Sequence, residues 1–117
     1  MGDDNREQLM ECGVDCDSVV ERFVGRWDLY LKLAKKFPYD SSYQNMLEAI
    51  EHKDVDAAFR YAHTLKGLCA NLSFAKLQQE CSILVECLRS GSLAGISEPL
   101  ERVNQTYQQL ITVLNHL

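Results

Sequence analysis

The most informative absence in this sequence is that of β-structure. No segment of useful length alternates apolar and polar residues, and only two prolines interrupt the chain, Pro38 and Pro99. Half-buried strands show such an alternation, so its absence predicts an all-α protein. The 117 residues correspond to one domain, and they suffice to bury a core without disulfides or structural metals. We therefore expect a single helical domain over residues 1–117.

The chain also lacks an excess of basic residues. Its 12 Lys and Arg are outnumbered by 17 Asp and Glu, which gives a formal net charge of −5. Proteins that bind nucleic acids need a basic surface to match the phosphate backbone, and anionic membranes favour the same charge. No apolar run approaches the roughly 20 residues of a membrane span. We therefore expect neither nucleic acid nor membrane as a partner.

Metal sites and secretion signals are missing as well. The five cysteines are an odd number, and the polar, acidic N-terminus does not resemble a signal peptide, so we predict a cytoplasmic protein with reduced thiols. Cys12 and Cys16 lie four residues apart, but no Cys or His pattern completes a four-ligand zinc site. The Glu-x-x-His pairs of di-iron bundles are absent too. We expect the chain to hold no metal or cofactor of its own.

What the sequence does contain is a succession of amphipathic helices, with apolar residues at steps of three and four. Four long helices with short connections bury their apolar faces most simply in a bundle. We predict an antiparallel up-and-down four-helix bundle with short additional N-terminal helices. The helices are predicted near residues 5–12, 15–37, 41–52, 54–72, 74–89 and 97–117.

Several residues predict where these helices begin. Ser18 with Glu21 has the spacing of a capping box, and Ser41 with Gln44 has it again. Asp54 is placed to cap the helix that follows it.

One helix has a pattern that packing does not explain. On a helical wheel, His63 points about 130° away from the centre of the apolar face, and Gly67 about 170° away. An interior glycine costs a helix about 1 kcal/mol relative to alanine, so its presence on the outer side indicates close approach by another group. Lys66 is a helical neighbour of His63 and can place a cation beside the ring.

This combination suits phosphoryl transfer. A neutral imidazole is a nucleophile near neutral pH, and nearby positive charge stabilises the transferred group. The sequence has no Gly-rich phosphate loop, Walker lysine motif or protein-kinase signature. We predict that His63 is the phosphoacceptor, that Lys66 and Gly67 support it, and that the chain is a carrier without turnover of its own.

The segment 62–67, AHTLKG, resembles the H-x-x-K-G signature of histidine phosphotransfer (Hpt) domains, and residues 22–30 resemble the second-helix pattern of that family. The resemblance extends over nearly the whole chain. It implies an up-and-down four-helix bundle with His63 exposed midway along it. It also implies that Lys66 steadies the phosphoryl oxygens and that Gly67 gives the partner room.

The resemblance further implies a place in a two-component phosphorelay. His63 would take a phosphoryl group from an aspartate of one receiver domain and pass it to another. The partners would be response-regulator receiver domains, a hybrid sensor kinase, or both, and the receiver would bring the Mg²⁺. We expect the carrier itself to be a monomer.

Two positions depart from the family pattern. Ser73 stands where many relatives have glycine, and Val85 stands where many have glutamate or glutamine. In some relatives a polar side chain at the second position hydrogen-bonds the imidazole. The side chains that could substitute for it are Gln78, Gln79, Ser82 and Glu86, and the sequence does not choose among them.

Val85 keeps a second function open, that of a helical adaptor that binds a receiver or kinase domain without being phosphorylated. The other two histidines, His52 and His116, are expected to be structural. His52 lies at a helix end, where its ring can interact with the last carbonyls.

Overall fold

The computed structural model describes residues 2–117, with side chains from Asn5 onward. This part of the chain contains seven α-helices, one 3₁₀ helix and no β-strand, which confirms the prediction of an all-α protein. The elements are α1 (Gly2–Glu11), α2 (Cys16–Arg22), α3 (Trp27–Ala34), the 3₁₀ helix (Phe37–Tyr39), α4 (Ser42–Glu51), α5 (Val55–Asn71), α6 (Ala75–Arg89) and α7 (Ser97–Asn115).

The single helix predicted over residues 15–37 is wrong, because the structure divides it into α2, α3 and the 3₁₀ helix. The chain turns at Val24 and Gly25, whose φ angles are 51° and 77°. A right-handed helix cannot continue through residues in the left-handed region. The apolar periodicity did not reveal the turn, because it continues through the break. The residues that α2 and α3 bury are Cys16, Val19, Tyr30 and Ala34.

Both predicted capping boxes are also wrong. The residue that caps α2 is Asp15, whose carboxylate accepts a hydrogen bond from the Ser18 N–H (3.0 Å). Ser41 does precede α4, but its side chain bonds no backbone N–H of that helix. Asp40 replaces it, since its Oδ1 accepts from the Ser42 N–H (2.8 Å). Aspartate is an equally good cap, so spacing alone could not distinguish these neighbours.

Helix α5 begins where the sequence predicted. The Asp54 carboxylate accepts a hydrogen bond from the Ala57 N–H (3.1 Å), which confirms Asp54 as the cap. The helix packs against both α4 and α6, and α6 packs in turn against α7. Because these neighbours cover only part of α5, the rest of its surface is open.

The predicted apolar faces of α5, α6 and α7 meet in the core. Ring contacts extend this core toward the preceding helices: Phe37 meets Phe74 edge-to-face (centroids 5.0 Å apart), and Tyr43 stacks on Tyr107 (3.6 Å). The buried residues of the three helices include Ala58, Ala62, Leu65, Cys69, Leu77, Cys81, Leu84, Val85, Leu88, Val103, Tyr107, Leu110 and Leu114.

Polar contacts attach the N-terminal helices to the C-terminal end of α5. The Tyr30 hydroxyl donates to the Leu72 carbonyl oxygen, and the Arg22 guanidinium donates to the Ala70 carbonyl oxygen, each at 2.7 Å. The Leu72 carbonyl lies just beyond the last turn of α5, where carbonyls lack helical partners. The Ala70 carbonyl also accepts a bond from the Ser73 N–H (3.3 Å), and Arg22 adds a second one. The bonds of Tyr30 and Arg22 fix α2 and α3 against the helix that carries His63.

None of the helices in residues 2–117 combines the length and the apolar character that a membrane crossing requires.

Candidate functional site

His63 lies in the middle of α5, and its side chain is exposed. Its neighbours Ala62 and Leu65 are buried in the core, so the core-facing side of the helix is distinct from the side that carries the imidazole. The structure therefore leaves the ring accessible to another molecule.

Gly67 leaves open space one turn after His63. A Cβ atom built on Gly67 would meet no atom within 4 Å, so no packing contact among the described residues requires glycine there. Lys66 is half-buried on the same helix. The ion pairs found among residues 5–117 do not include Lys66. The structure thus groups all three predicted site residues on α5.

An open depression of about 620 Å³ lies beside the His63 ring. The ring of Phe59 lies 6.2 Å from that of His63, centroid to centroid, and the Arg89 guanidinium carbon lies 5.1 Å from the centre of the Phe59 ring. The depression is lined by Phe59, Arg60, Tyr61, His63, Thr64 and Arg89.

Arg89 and Phe59 line the depression but are not among the site residues that the sequence predicts. Arg89 is in the last turn of α6, and only the packing of α6 on α5 brings it to the depression of His63. Phe59 precedes His63 by one helical turn, so its position could have been noticed. An aromatic residue on a helix is more often part of the core, so its type alone gives no signal of a site.

Two arginines that line the depression beside His63 form ion pairs, and Lys66 on the same helix is in none of the ion pairs found within residues 5–117. Arg89 pairs with Glu86 (3.2 Å), and Arg60 pairs with Asp56 (3.4 Å). Lys66 lies three residues after His63 on α5. A cation outside these pairs, one helical turn from His63, favours an anionic group at the imidazole.

No hydrogen bond to the His63 ring occurs within residues 5–117. The two other histidines do have such bonds: His52 Nδ1 lies 2.8 Å from the Glu48 carbonyl oxygen, and His116 Nδ1 lies 2.6 Å from the Thr112 carbonyl oxygen. Those contacts agree with the structural roles expected for His52 and His116. The difference leaves the His63 nitrogens free for chemistry.

The four candidates for orienting the imidazole do not bond to it in this part of the chain. Val85 is fully buried in the core, and Glu86 is engaged by Arg89 through both carboxylate oxygens. Gln78, Gln79 and Ser82 also make no hydrogen bond with His63 among the described residues.

No group of three or more potential metal ligands occurs among the residues that the structure describes. Burial raises the pKa of the Cys12 and Cys16 thiols, which opposes the thiolate form that binds metals. These two thiols are therefore poor metal ligands.

A comparison with protein-family models identifies the family of the chain. The model of the Hpt domain matches residues 40–113, which span α4, α5, α6 and most of α7. The chain belongs to the Hpt domain family. Hpt domains are phosphocarrier modules of two-component signalling, and they interact with receiver domains or kinases. Comparisons with curated proteins and with solved structures gave no significant match.

The structure of this Hpt domain accounts for one departure from the family pattern. Ser73 has a φ angle of 59°, in the left-handed region that glycine enters without cost. The serine hydroxyl lies 3.1 Å from the Ser18 hydroxyl and accepts a hydrogen bond from Arg22 (3.3 Å). These contacts with α2 offset part of the conformational cost.

Proposed function

We propose that this Hpt domain carries a phosphoryl group on His63, accepting it from an aspartyl phosphate of one receiver domain and passing it to an aspartate of another. The supporting observation is that the exposed imidazole lies one turn from Gly67, where an added Cβ would meet no atom within 4 Å. A phosphorylated aspartate on a folded domain can reach only a nucleophile that the carrier leaves uncovered.

The transfer needs no further reactant. The lone pair of the unprotonated His63 nitrogen attacks phosphorus, and the bond between phosphorus and the aspartyl oxygen breaks. The aspartate leaves as a carboxylate, and the ring keeps the proton on its other nitrogen. Passing the group to the next receiver is the reverse reaction with a different carboxylate.

Lys66 and Arg89 supply positive charge for the phosphoryl oxygens. At about 100° per residue, Lys66 and Phe59 lie within roughly 20° of each other on one flank of His63, and Arg89 lies over Phe59. Both cations therefore approach from the α6 side. Catalysis of phosphoryl transfer depends mainly on such charges and on positioning.

The remaining features of the proposal concern architecture and partners. We place α4–α7 in an antiparallel up-and-down bundle, extended by α1–α3 into one domain over residues 1–117. The carrier is a cytoplasmic monomer without its own cofactor or turnover. The receiver domain, free or part of a hybrid sensor kinase, provides Mg²⁺ with its aspartate.

The test is transfer from a radiolabelled phosphoreceiver to this chain. We expect an acid-labile, base-stable label on the wild-type protein and none on His63→Gln. His52→Gln and His116→Gln are matched controls, because each removes another exposed imidazole, and both variants should label normally. Equal labelling of His63→Gln would exclude His63 as the acceptor.

The adaptor function remains the second candidate, because no side chain among residues 5–117 orients the His63 ring and Val85 is buried. It predicts receiver binding without any label, and binding that His63→Gln leaves unchanged. The same labelling experiment combined with a binding measurement separates the two functions.

A further inference from the structure

A second depression adjoins the one beside His63. This α5–α6 slot has a volume of about 480 Å³ and is open to solvent. It lies between the start of α5 and the end of α6. Its lining residues are Val55, Asp56, Phe59, Leu88, Arg89 and Gly91.

The slot and the His63 depression share two walls, Phe59 and Arg89. Phe59 is one helical turn from His63, about 6 Å along the helix axis. A specific interface covers about 800 Å² on each partner, equivalent to a disc of about 16 Å radius. An interface of this size centred on His63 also covers the slot, and it leaves no room for a second partner there.

The chemistry of the slot favours an apolar occupant. Val55, Phe59 and Leu88 provide aliphatic and aromatic surface, whereas the two charged lining residues already have partners. Asp56 pairs with Arg60 and Arg89 pairs with Glu86. A charged side chain entering the slot would lose water without gaining a free counter-ion, whereas an apolar side chain gains from burial.

We propose that the α5–α6 slot receives one apolar side chain of the receiver domain, presented beside its phosphorylatable aspartate. The proposal rests on the phosphotransfer function of His63. Val55 and Leu88 line the slot but not the His63 depression. These two residues therefore contribute to affinity for the receiver and not to the chemical step.

The experiment uses the full chain and isolated receiver domains charged with acetyl phosphate, keeping a receiver that labels the wild-type protein. Val55→Glu places a carboxylate in the slot, in the first turn of a helix, where acidic side chains are favourable. Val55→Phe fills the slot with an apolar ring of the chain itself. Both should raise KM for the phosphoreceiver at least about tenfold, the factor expected from burial of one aliphatic side chain, with kcat unchanged.

Ile83→Glu is the matched control, since Ile83 is another aliphatic residue, 44% exposed on α6 and outside both depressions. It should leave KM unchanged. Phosphoramidate, a small phosphodonor that needs no docking surface, should label His63 equally in all variants.

An unchanged KM in both Val55 variants, or an equal rise in KM in Ile83→Glu, would show that the slot does not receive a receiver side chain. Either result leaves phosphotransfer to His63 intact. Failure of both the phosphoreceiver and phosphoramidate to label the wild-type protein overturns the proposed function itself, and the receiver as occupant with it.

Discussion

At the scale of single residues, Lys66 and Arg89, the two cations proposed to stabilise the phosphoryl group on His63, differ in their contacts. Arg89 donates to Glu86 and lies over the Phe59 ring, so part of its charge is already compensated. Lys66 is in none of the ion pairs found within residues 5–117. We therefore assign the larger electrostatic contribution to Lys66.

Neutralising each cation tests this order. Lys66→Gln should lower the rate of transfer at saturating phosphoreceiver about 10- to 100-fold, the value of one or two charge-assisted contacts. Arg89→Gln should lower it only about 3- to 10-fold, because Glu86 already competes for the guanidinium. Lys53→Gln, an exposed lysine in the turn before α5, is the control for lost net charge. A larger loss in Arg89→Gln than in Lys66→Gln would contradict the assignment.

Replacement by alanine should change the free energy of unfolding in opposite directions at Gly13 and at Gly67. At Gly13 the φ angle is 85°, and an added Cβ would lie 2.2 Å from Lys76 Cβ. Gly13→Ala should therefore lower the free energy of unfolding by about 2–4 kcal/mol. Gly67→Ala should raise it by about 1 kcal/mol, since the position is helical and open. Urea denaturation of both variants measures the difference.

A bulkier side chain at position 67 separates stability from function. Gly67→Leu should fold as well as the wild-type protein but receive phosphoryl from a receiver more slowly, while its labelling by phosphoramidate stays normal. Normal transfer from the receiver would show that Gly67 is not needed for close approach.

At the scale of helices, the sequence predicted α5, α6 and α7 because each is long enough to repeat its apolar pattern several times. It also placed His63 and Gly67 away from the core, since both lie inside one uninterrupted helix. The apolar pattern did not predict the break between α2 and α3. Val24 gives no turn signal, because β-branched residues rarely adopt the left-handed conformation, and Gly25 (φ 77°) is the local signal of this turn.

The same limit applies to the site. Its α5 residues follow from local spacing, whereas Arg89 enters from another helix through tertiary packing. Single-sequence patterns contain no information on which turn of α6 meets which turn of α5.

The break between α2 and α3 has a measurable cost. Val24 has a φ angle of 51° and is 87% exposed, so it contributes strain and almost no burial. Val24→Asn should stabilise the protein by about 1 kcal/mol, because asparagine enters the left-handed region more readily. Equilibrium unfolding in urea measures the change, and destabilisation would indicate a packing role for the valine that its exposure does not suggest.

At the scale of the whole molecule, the helices before the segment matched by the Hpt model, residues 40–113, pack into the same hydrophobic core as α4–α7. Tyr30 is completely buried, bonds to the Leu72 carbonyl oxygen, and packs against Trp27 (centroids 5.2 Å apart). A helix attached in this way should not unfold independently of α5. The proposed single domain therefore requires one cooperative unfolding transition.

Alkaline unfolding tests that requirement. Burial raises the pKa of Tyr30, and burial raises the pKa of Tyr107 in α7 to about 12. A raised folded-state pKa leaves stability unchanged below the unfolded value near 10, and stability then falls as pH rises toward and through the folded value. Trp27, the single tryptophan, reports on α3 by fluorescence, and far-UV circular dichroism reports on all helices. We expect the two transitions to coincide above about pH 10. An earlier fluorescence transition would show that the N-terminal helices form a separate unit.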